Sequence, residues 1–236
     1  LGYSLFNYST KEGLSNNIIT SITQDKKGYM WFATQNGLNR YDGRDFKIYN
    51  KNNGLSSNSI RAIYCDSKGR LWIGTKGSNG GLDLLKEDGT FVNYTKANGL
   101  IGNNIQVIAE DKNGNIYVGT SEGLSILKNG EFINYTTSNG MPNDSVYSIF
   151  IDTDRIWIGT KDGVAYLKDM KIYIIKGERD HVDDIKKSHD DNLLYFSTRY
   201  KGLLVYNELS NSIDIVNKYK GLDLTKIKVN FILYDI

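Results

Sequence analysis

An all-β fold is predicted by three observations. A unit of about 40 residues recurs five times along the 236-residue chain, each unit holds four short β-favouring runs, and the runs are punctuated by glycine rather than proline, 24 against one. Four strands to a unit in tandem, with no 3.6-residue period, is the arithmetic of a β-propeller with four-stranded antiparallel blades. A parallel β-helix is the competitor, but its coils are shorter and lack a hairpin-like turn after every strand.

The strands of a blade are taken a to d outward from the axis. Strand a carries two apolar positions three apart: Ile19/Ile22, Ile60/Ile63, Ile105/Ile108, Val146/Ile149, Val182/Ile185 and Val229/Ile232. An aspartate follows, at 25, 66, 111 and 152, five or six residues before the aromatic of strand b. Strand b reads Met30-Trp31-Phe32-Ala33-Thr34 and returns as 71–75, 116–120, 156–160 and, more loosely, Leu194-Tyr195-Phe196-Ser197-Thr198. A Gly-apolar pair then opens strand c: Gly37-Leu38, Gly81-Leu82, Gly123-Leu124, Gly163-Val164 and Gly202-Leu203. Aromatic-rich runs such as Phe46-Lys47-Ile48-Tyr49 and Phe91-Val92-Asn93-Tyr94 make strand d. A second glycine pair (Gly13-Leu14, Gly54-Leu55, Gly99-Leu100, Gly140-Met141, Gly221-Leu222) marks the openings of units.

These spacings place blades near 18–50, 59–95, 104–136, 145–176 and 182–217, in a single propeller segment spanning 1–236. Residues 3–8 read as a stray d strand and 227–235 as a stray a strand. Five complete blades plus one strand at each end leave blade edges unpaired, so the segment is expected to be part of a larger ring that continues beyond Ile236.

Composition narrows the function classes. Lys and Arg number 29 against 27 Asp and Glu, a net charge of +2 spread along the chain, which lacks the footprint of a nucleic-acid binder or of a polybasic membrane surface. No apolar run approaches the roughly 20 residues that cross a bilayer, so no membrane contact by this segment is expected. The lone Cys65 has no disulfide partner and no Cys or His at metal-ligand spacing.

In a repeat protein, a residue that recurs in every blade is scaffold before it is site. The four turn aspartates are therefore expected to hydrogen-bond local backbone rather than to form a carboxylate ring. The aromatics at 31, 72, 117, 157 and 195 are expected to pack the blades. His181 and His189 sit among Asp180, Asp183, Asp184, Asp190 and Asp191, which resembles a metal cluster in one dimension. With a strand between them the two imidazoles stand roughly 26 Å apart at about 3.3 Å per residue, so a solvated turn is expected instead of a metal site. No Ser-His-Asp arrangement, phosphate-cradling glycine loop or zinc motif is present, and neither a cofactor nor a catalytic residue is expected.

Function is sought where blades differ. The position after the first apolar residue of strand a varies sharply: Thr20, Arg61, Gln106, Tyr147, Asp183 and Asn230. Strand a is innermost, so this column is a candidate for ligand selectivity at the axial channel, against the alternative of plain water-filled lining. The b-to-c connection is three residues from threonine to glycine in the first, third and fourth blades, but six in the second, which holds Lys76, Gly77, Ser78, Asn79 and Gly80. The fifth blade is one residue longer, at Arg199-Tyr200-Lys201. These loops and Asn17, Asn58, Asn104 and Asn143 share one face and are candidates for a polar rim suited to a hydroxyl-rich ligand, or for a protein interface; tolerated loop drift is the alternative.

The unit Gly13-Leu14-Ser15-Asn16-Asn17-Ile18-Ile19-Thr20-Ser21-Ile22, followed by Asp25-x-x-Gly28-x-x-Trp31-Phe32-Ala33-Thr34-x-x-Gly37-Leu38-Asn39-Arg40-Tyr41-Asp42-Gly43, closely resembles the two-component regulator propeller repeat. The resemblance covers essentially the whole chain. Sialidase-type propellers differ, since their aspartate and glycine are spaced two apart rather than the three of Asp66 and Gly69. The fifth blade departs from the pattern, with Ser188 where the aspartate is expected.

The resemblance implies a non-catalytic, ligand-sensing segment of a bacterial membrane-anchored receptor, in the periplasm or at the cell surface. It implies an oligosaccharide or other small-molecule ligand and signalling domains further along the same chain, with histidine kinase or diguanylate cyclase output. Occupancy would pass through ring contacts or homodimer geometry. A protein-interaction scaffold and a carbohydrate-active propeller enzyme are the alternatives.

Overall fold

The computed structural model describes residues 6–177, 179–188, 192–216, 218–219 and 222–223. It contains the five expected four-stranded antiparallel sheets, each with its strands in chain order. The chain divides into two compact units, Leu1–Glu110 and Asp111–Ile236.

In the first unit, one sheet holds β1 (Ile19–Gln24), β2 (Met30–Thr34), β3 (Gly37–Tyr41) and β4 (Phe46–Tyr49). The next holds β5 (Ile60–Cys65), β6 (Leu71–Thr75), β7 (Leu82–Leu85) and β8 (Phe91–Tyr94). The third sheet runs β9 (Ile105–Glu110), β10 (Ile116–Thr120), β11 (Leu124–Lys128), β12 (Glu131–Tyr135), and only β9 belongs to the first unit. The second unit continues with β13 (Val146–Ile151), β14 (Ile156–Thr160), β15 (Gly163–Lys168) and β16 (Lys171–Ile174). Its last sheet is β17 (Val182–Lys187), β18 (Leu193–Thr198), β19 (Gly202–Asn207) and β20 (Ser212–Ile215), followed by a short hairpin of β21 (Lys218–Tyr219) and β22 (Leu222–Asp223). Of the stray strand expected at 3–8, residues 6–8 have no strand structure and the rest lie outside the described residues, as does the whole of 227–235.

The second strand of each sheet is its core. All five residues of β6, β10 and β14 are buried, because this strand is covered on both faces. In the first unit Trp31, Leu38, Leu55, Ile60, Ile63 and Ile73 form one apolar cluster; in the second Trp157, Val182, Ile185, Leu194 and Phe196 form another. Each such side chain contributes about 1.5–3 kcal/mol on burial.

The turns follow the expected chemistry. Asp25 accepts the Lys27 and Tyr29 backbone N–H groups through Oδ1 at 2.9 and 3.0 Å, and the Trp31 indole N–H through Oδ2 at 2.8 Å. The aspartate thus ties the turn to the aromatic that follows it, and Asp66, Asp111 and Asp152 do the same with Trp72, Tyr117 and Trp157. Before each of the first four sheets the chain makes a single 3₁₀ turn, Thr10–Glu12, Lys51–Asn53, Lys96–Asn98 and Thr137–Asn139. Each ends on a glycine of the repeat at φ 95–109°, a left-handed conformation that side chains resist, and then buries Leu14, Leu55, Leu100 or Met141.

One buried carboxylate has no cation beside it. Asp83 accepts from the Ser56 N–H and hydroxyl and from the Asn93 amide at 2.7–2.9 Å, where the first sheet uses Asn39 for the same Ser15 backbone N–H. Burial pushes its carboxyl above the ordinary carboxylate value against those hydrogen bonds. A raised folded-state pKa gives stability that is full below the unfolded value near 3.9 and lost as pH rises through the folded one. Asp83→Asn is therefore expected to flatten this acid-side gain, read as the pH dependence of thermal unfolding of variant and parent.

Candidate functional site

The variable column has a backbone cause. In β1, β5, β13 and β17 the pairing with the next strand slips by one residue, between Ile19 and Ser21, Ile60 and Ala62, Val146 and Ser148, and Val182 and Asp184. The extra residues are Thr20, Arg61, Tyr147 and Asp183. A β-bulge lifts its residue out of the ladder and re-aims its side chain, so the ladder does not constrain which residue stands there. Gln106 follows Ile105 at the same place in β9, and Asn230 lies outside the described residues.

The b-to-c and d-to-a connections meet at the bulge end of four of the five sheets, through Gly37 N–H to Asn58 O, Lys76 N–H to Ser59 O, Lys161 N–H to Ser145 O and Arg199 N–H to His181 O. The rim asparagines are engaged there. The side-chain oxygens of Asn17 and Asn58 accept the first N–H of a 3₁₀ turn at 2.8 Å, those of Asn104 and Asn143 accept from Gly77 and Ser145, and the 3₁₀ partners in the later repeats are Asn103 and Asp144.

In the first unit, the Thr20 hydroxyl lies 2.8 Å from Ile60 O and 3.2 Å from Ala33 O, so it ties two sheets together. Arg61 is exposed, and Gln106 and Lys76 are half-buried. Burial first, and then the positive charge of Arg61, pushes the Lys76 ammonium below its usual value. The six-residue loop is closed by Gly80 N–H to Gly77 O, with Ser78 and Asn79 exposed at its tip.

In the second unit the site residues converge. Asp183 Oδ1 accepts from Arg199 Nη2 at 2.9 Å and lies 3.0 Å from His181 Nε2, while Arg199 Nη2 stands 3.1 Å from the same ring nitrogen. The Tyr147 ring lies against the His181 imidazole, centroids 3.9 Å apart. Asp180 is the brace: its Oδ1 accepts the His181 N–H at 2.6 Å and its Oδ2 the Tyr200 and Lys201 N–H groups at 3.0 and 2.9 Å, fixing the longer loop. Tyr200, 82% exposed, stands at the tip of that loop.

His181 corrects the expected solvated turn, while His189, Asp190 and Asp191 lie outside the described residues. His181 is 5% exposed, and burial together with the Arg199 charge holds its imidazole below the usual histidine value, against the pull of Asp183 and Asp180. The sequence concealed this because the partners, Arg199 and Tyr147, are 18 and 34 residues away; the one-residue expansion of the 199–201 loop was the available signal. Among the described residues no group of His, Cys, Asp and Glu has metal-holding geometry.

Two groups in the cluster are unspent. Asp183 Oδ2 is buried without a hydrogen-bond partner, and the Tyr147 hydroxyl has none among the described residues. An acceptor, a guanidinium and an aromatic hydroxyl within one rim suit a ligand that offers several hydroxyls.

Residues 13–36, 54–77, 99–122 and 140–162 match the family described as "Two component regulator propeller". Over 38 residues, 16% of this chain and 3% of the relative, the sequence is 50% identical to histidine kinase P4 of Formosa agariphila. The extracellular domain of a hybrid two component system protein of B. thetaiotaomicron superposes with a TM-score of 0.77 at 25% identity, over 89% of this chain and 31% of that one. An extracellular domain from the same organism, described as that of a one component system, gives 0.68 at 21% identity over 86% of this chain and 32% of that one, a likeness of fold alone. The chain thus spans about a third of the length of these structures.

Proposed function

We propose that this chain, whose first four repeats match the two component regulator propeller family, is a non-catalytic sensing segment of an extracytoplasmic, membrane-anchored receptor. Its ligand is an oligosaccharide or similar hydroxyl-rich small molecule, and its occupancy is passed to signalling domains in the same chain. The observation that carries the reading is the Tyr147–His181–Asp183–Arg199 cluster, which departs from the repeat at the bulge and loop positions and leaves a buried carboxylate oxygen unpaired.

Signalling requires that the ligand favour one arrangement of the receptor over another by a real difference in affinity. The cluster supplies a means. It joins the bulge of β13 to β17 and to the 199–201 loop, so a ligand that bonds Asp183 and Tyr147 together restrains two sheets of the second unit at once.

A thermal-shift panel of neutral oligosaccharides, followed by calorimetric titration of those that stabilise, tests the reading. Tyr147→Ala and Arg199→Ala are each expected to weaken binding about tenfold, roughly 1.4 kcal/mol. Unchanged affinity in both variants would sink the assignment of the site, and conversion of the sugar during incubation would replace sensing with catalysis.

A further inference from the structure

At the other end of the first unit, the turns Asp25–Tyr29 and Lys68–Leu71 and the 84–89 connection enclose a groove of about 490 Å³ between the first and second sheets. Six cationic side chains line it: Lys26, Lys27, Arg40, Lys68, Arg70 and Lys86. Against them stand Glu87, on an exposed turn, and Asp25, whose oxygens are already taken by Lys27, Tyr29 and Trp31. Arg70 is paired with Asp66 and Lys26 with Ser67 O; Lys27, Arg40, Lys68 and Lys86 form no ion pair among the described residues, the Arg40 charge acting only at longer range on Asp42 and that of Lys86 on Asp88.

Arg40 breaks the repeat. It pairs across the sheet with Trp31, and the residues paired with the equivalent aromatics are Leu84, Ile126, Tyr166 and Val205. None of those is charged. Its guanidinium lies over the Tyr29 ring at 4.3 Å, and its Nε is buried with no hydrogen-bond partner. A guanidinium stays charged at any physiological pH, so an unpaired buried donor is a standing cost that an acceptor oxygen would relieve.

The second unit contains the equivalent groove as an internal control. It is smaller, about 280 Å³, and two of its three cations are paired within it, since Asp154 bonds both Arg155 and Lys168 at 2.9 and 2.7 Å. The fold therefore does not require so strongly cationic a groove at this place.

We propose that the groove beside Arg40 is a second ligand site, taking a small polyanion with two or more carboxylate, sulfate or phosphate groups. Arg40 accepts one oxyanion in its planar fork, and Lys68 and Lys86 on the second sheet hold another. The volume is that of a small-molecule cleft. The site is independent of the Tyr147 cluster.

Calorimetric titration with citrate, pyrophosphate and sucrose octasulfate, with sucrose as the neutral control, separates the three oxyanion chemistries. At least one anion is expected to bind with one-to-one stoichiometry and to weaken as salt is raised, while sucrose does not compete. Arg40→Leu installs a residue the repeat already uses; it is expected to raise the thermal midpoint and to weaken the anion at least tenfold, with Arg40→Lys intermediate. The double variant Arg61→Gln, Lys76→Gln, at the bulge end, is expected to leave anion binding unchanged. Absence of saturable binding by all three anions, binding undiminished in Arg40→Leu, or loss in the bulge-end variant overturns the proposal. Binding of a neutral oligosaccharide at the Tyr147 cluster, read in Tyr147→Ala, is unaffected by any of these outcomes.

Discussion

Replacing Gly74 with valine is expected to lower the stability of the first unit by about 3 kcal/mol, the upper part of the range for overpacking a filled core. A Cβ at Gly74 would stand 2.5 Å from Ile105 Cγ2 and 2.8 Å from Ile105 Cβ. A methyl can rotate away, but a Cβ moves only with the backbone of β9. Gly159 repeats the situation in the second unit, where a Cβ would collide with Ser148 Oγ and stand 2.9 Å from Val182 Cγ1. The glycine before the strand-b threonine thus has its reason in the approach of the next repeat's first strand, with no positive φ at Gly74 or Gly159. Chemical denaturation of Gly74→Val, Ile105→Ala and the double variant checks this. The double variant is expected to lose less than the sum, because the smaller residue at 105 makes room. Additive losses would show that the approach of the two strands is not the cause.

Asp66→Ala is expected to cost about 3 kcal/mol, since it removes one acceptor from several donors at once and leaves them partly buried. Its Oδ1 accepts the Lys68 and Arg70 N–H groups at 3.0 and 2.8 Å, and its Oδ2 accepts Arg70 Nε at 2.6 Å and the Trp72 indole at 2.9 Å. Burial raises this carboxyl, but the bonds from Trp72 and Arg70 and the Arg70 charge outweigh it and hold the group below the ordinary carboxylate range. For a depressed pKa the contribution is full above the unfolded value near 3.9 and is lost as pH falls through the folded one. Asp66→Asn is therefore expected to blunt the acid unfolding of the first unit, the opposite sense to Asp83→Asn. Circular dichroism across an acid titration of the two variants checks the signs, and a parallel response of both would contradict them.

Much of the site was legible because repetition makes departures visible. Tyr147, Asp183, Arg199 and Tyr200 stood out as breaks in a column or a loop length, and the structure gathers them at one rim. Thr20 stood out equally, yet its hydroxyl joins two sheets. Variation identifies where the ladder imposes nothing; it does not say whether a ligand or a neighbouring strand uses the freedom. Arg40, read in the sequence only as part of the repeat motif, was no candidate because its anomaly lies in the partner it faces, and the Trp31–Arg40 pairing exists only once the register of β2 and β3 is set.

The sequence by itself determined the five-sheet succession, the order of strands within each sheet and the chemistry of the turns, for these rest on interactions spanning a few residues: Asp25 to Trp31, a glycine at positive φ, an apolar pair three apart. The tertiary structure alone decided that β-bulges underlie the variable column, that His181 is buried between Tyr147 and Arg199, and that Arg155 and Lys168 are ion-paired in one groove while Arg40, Lys68 and Lys86 are not in its counterpart. Those outcomes depend on side chains distant in sequence meeting in a low-dielectric interior, where burial and charge pairing set their energies, and no local pattern records which of them meet.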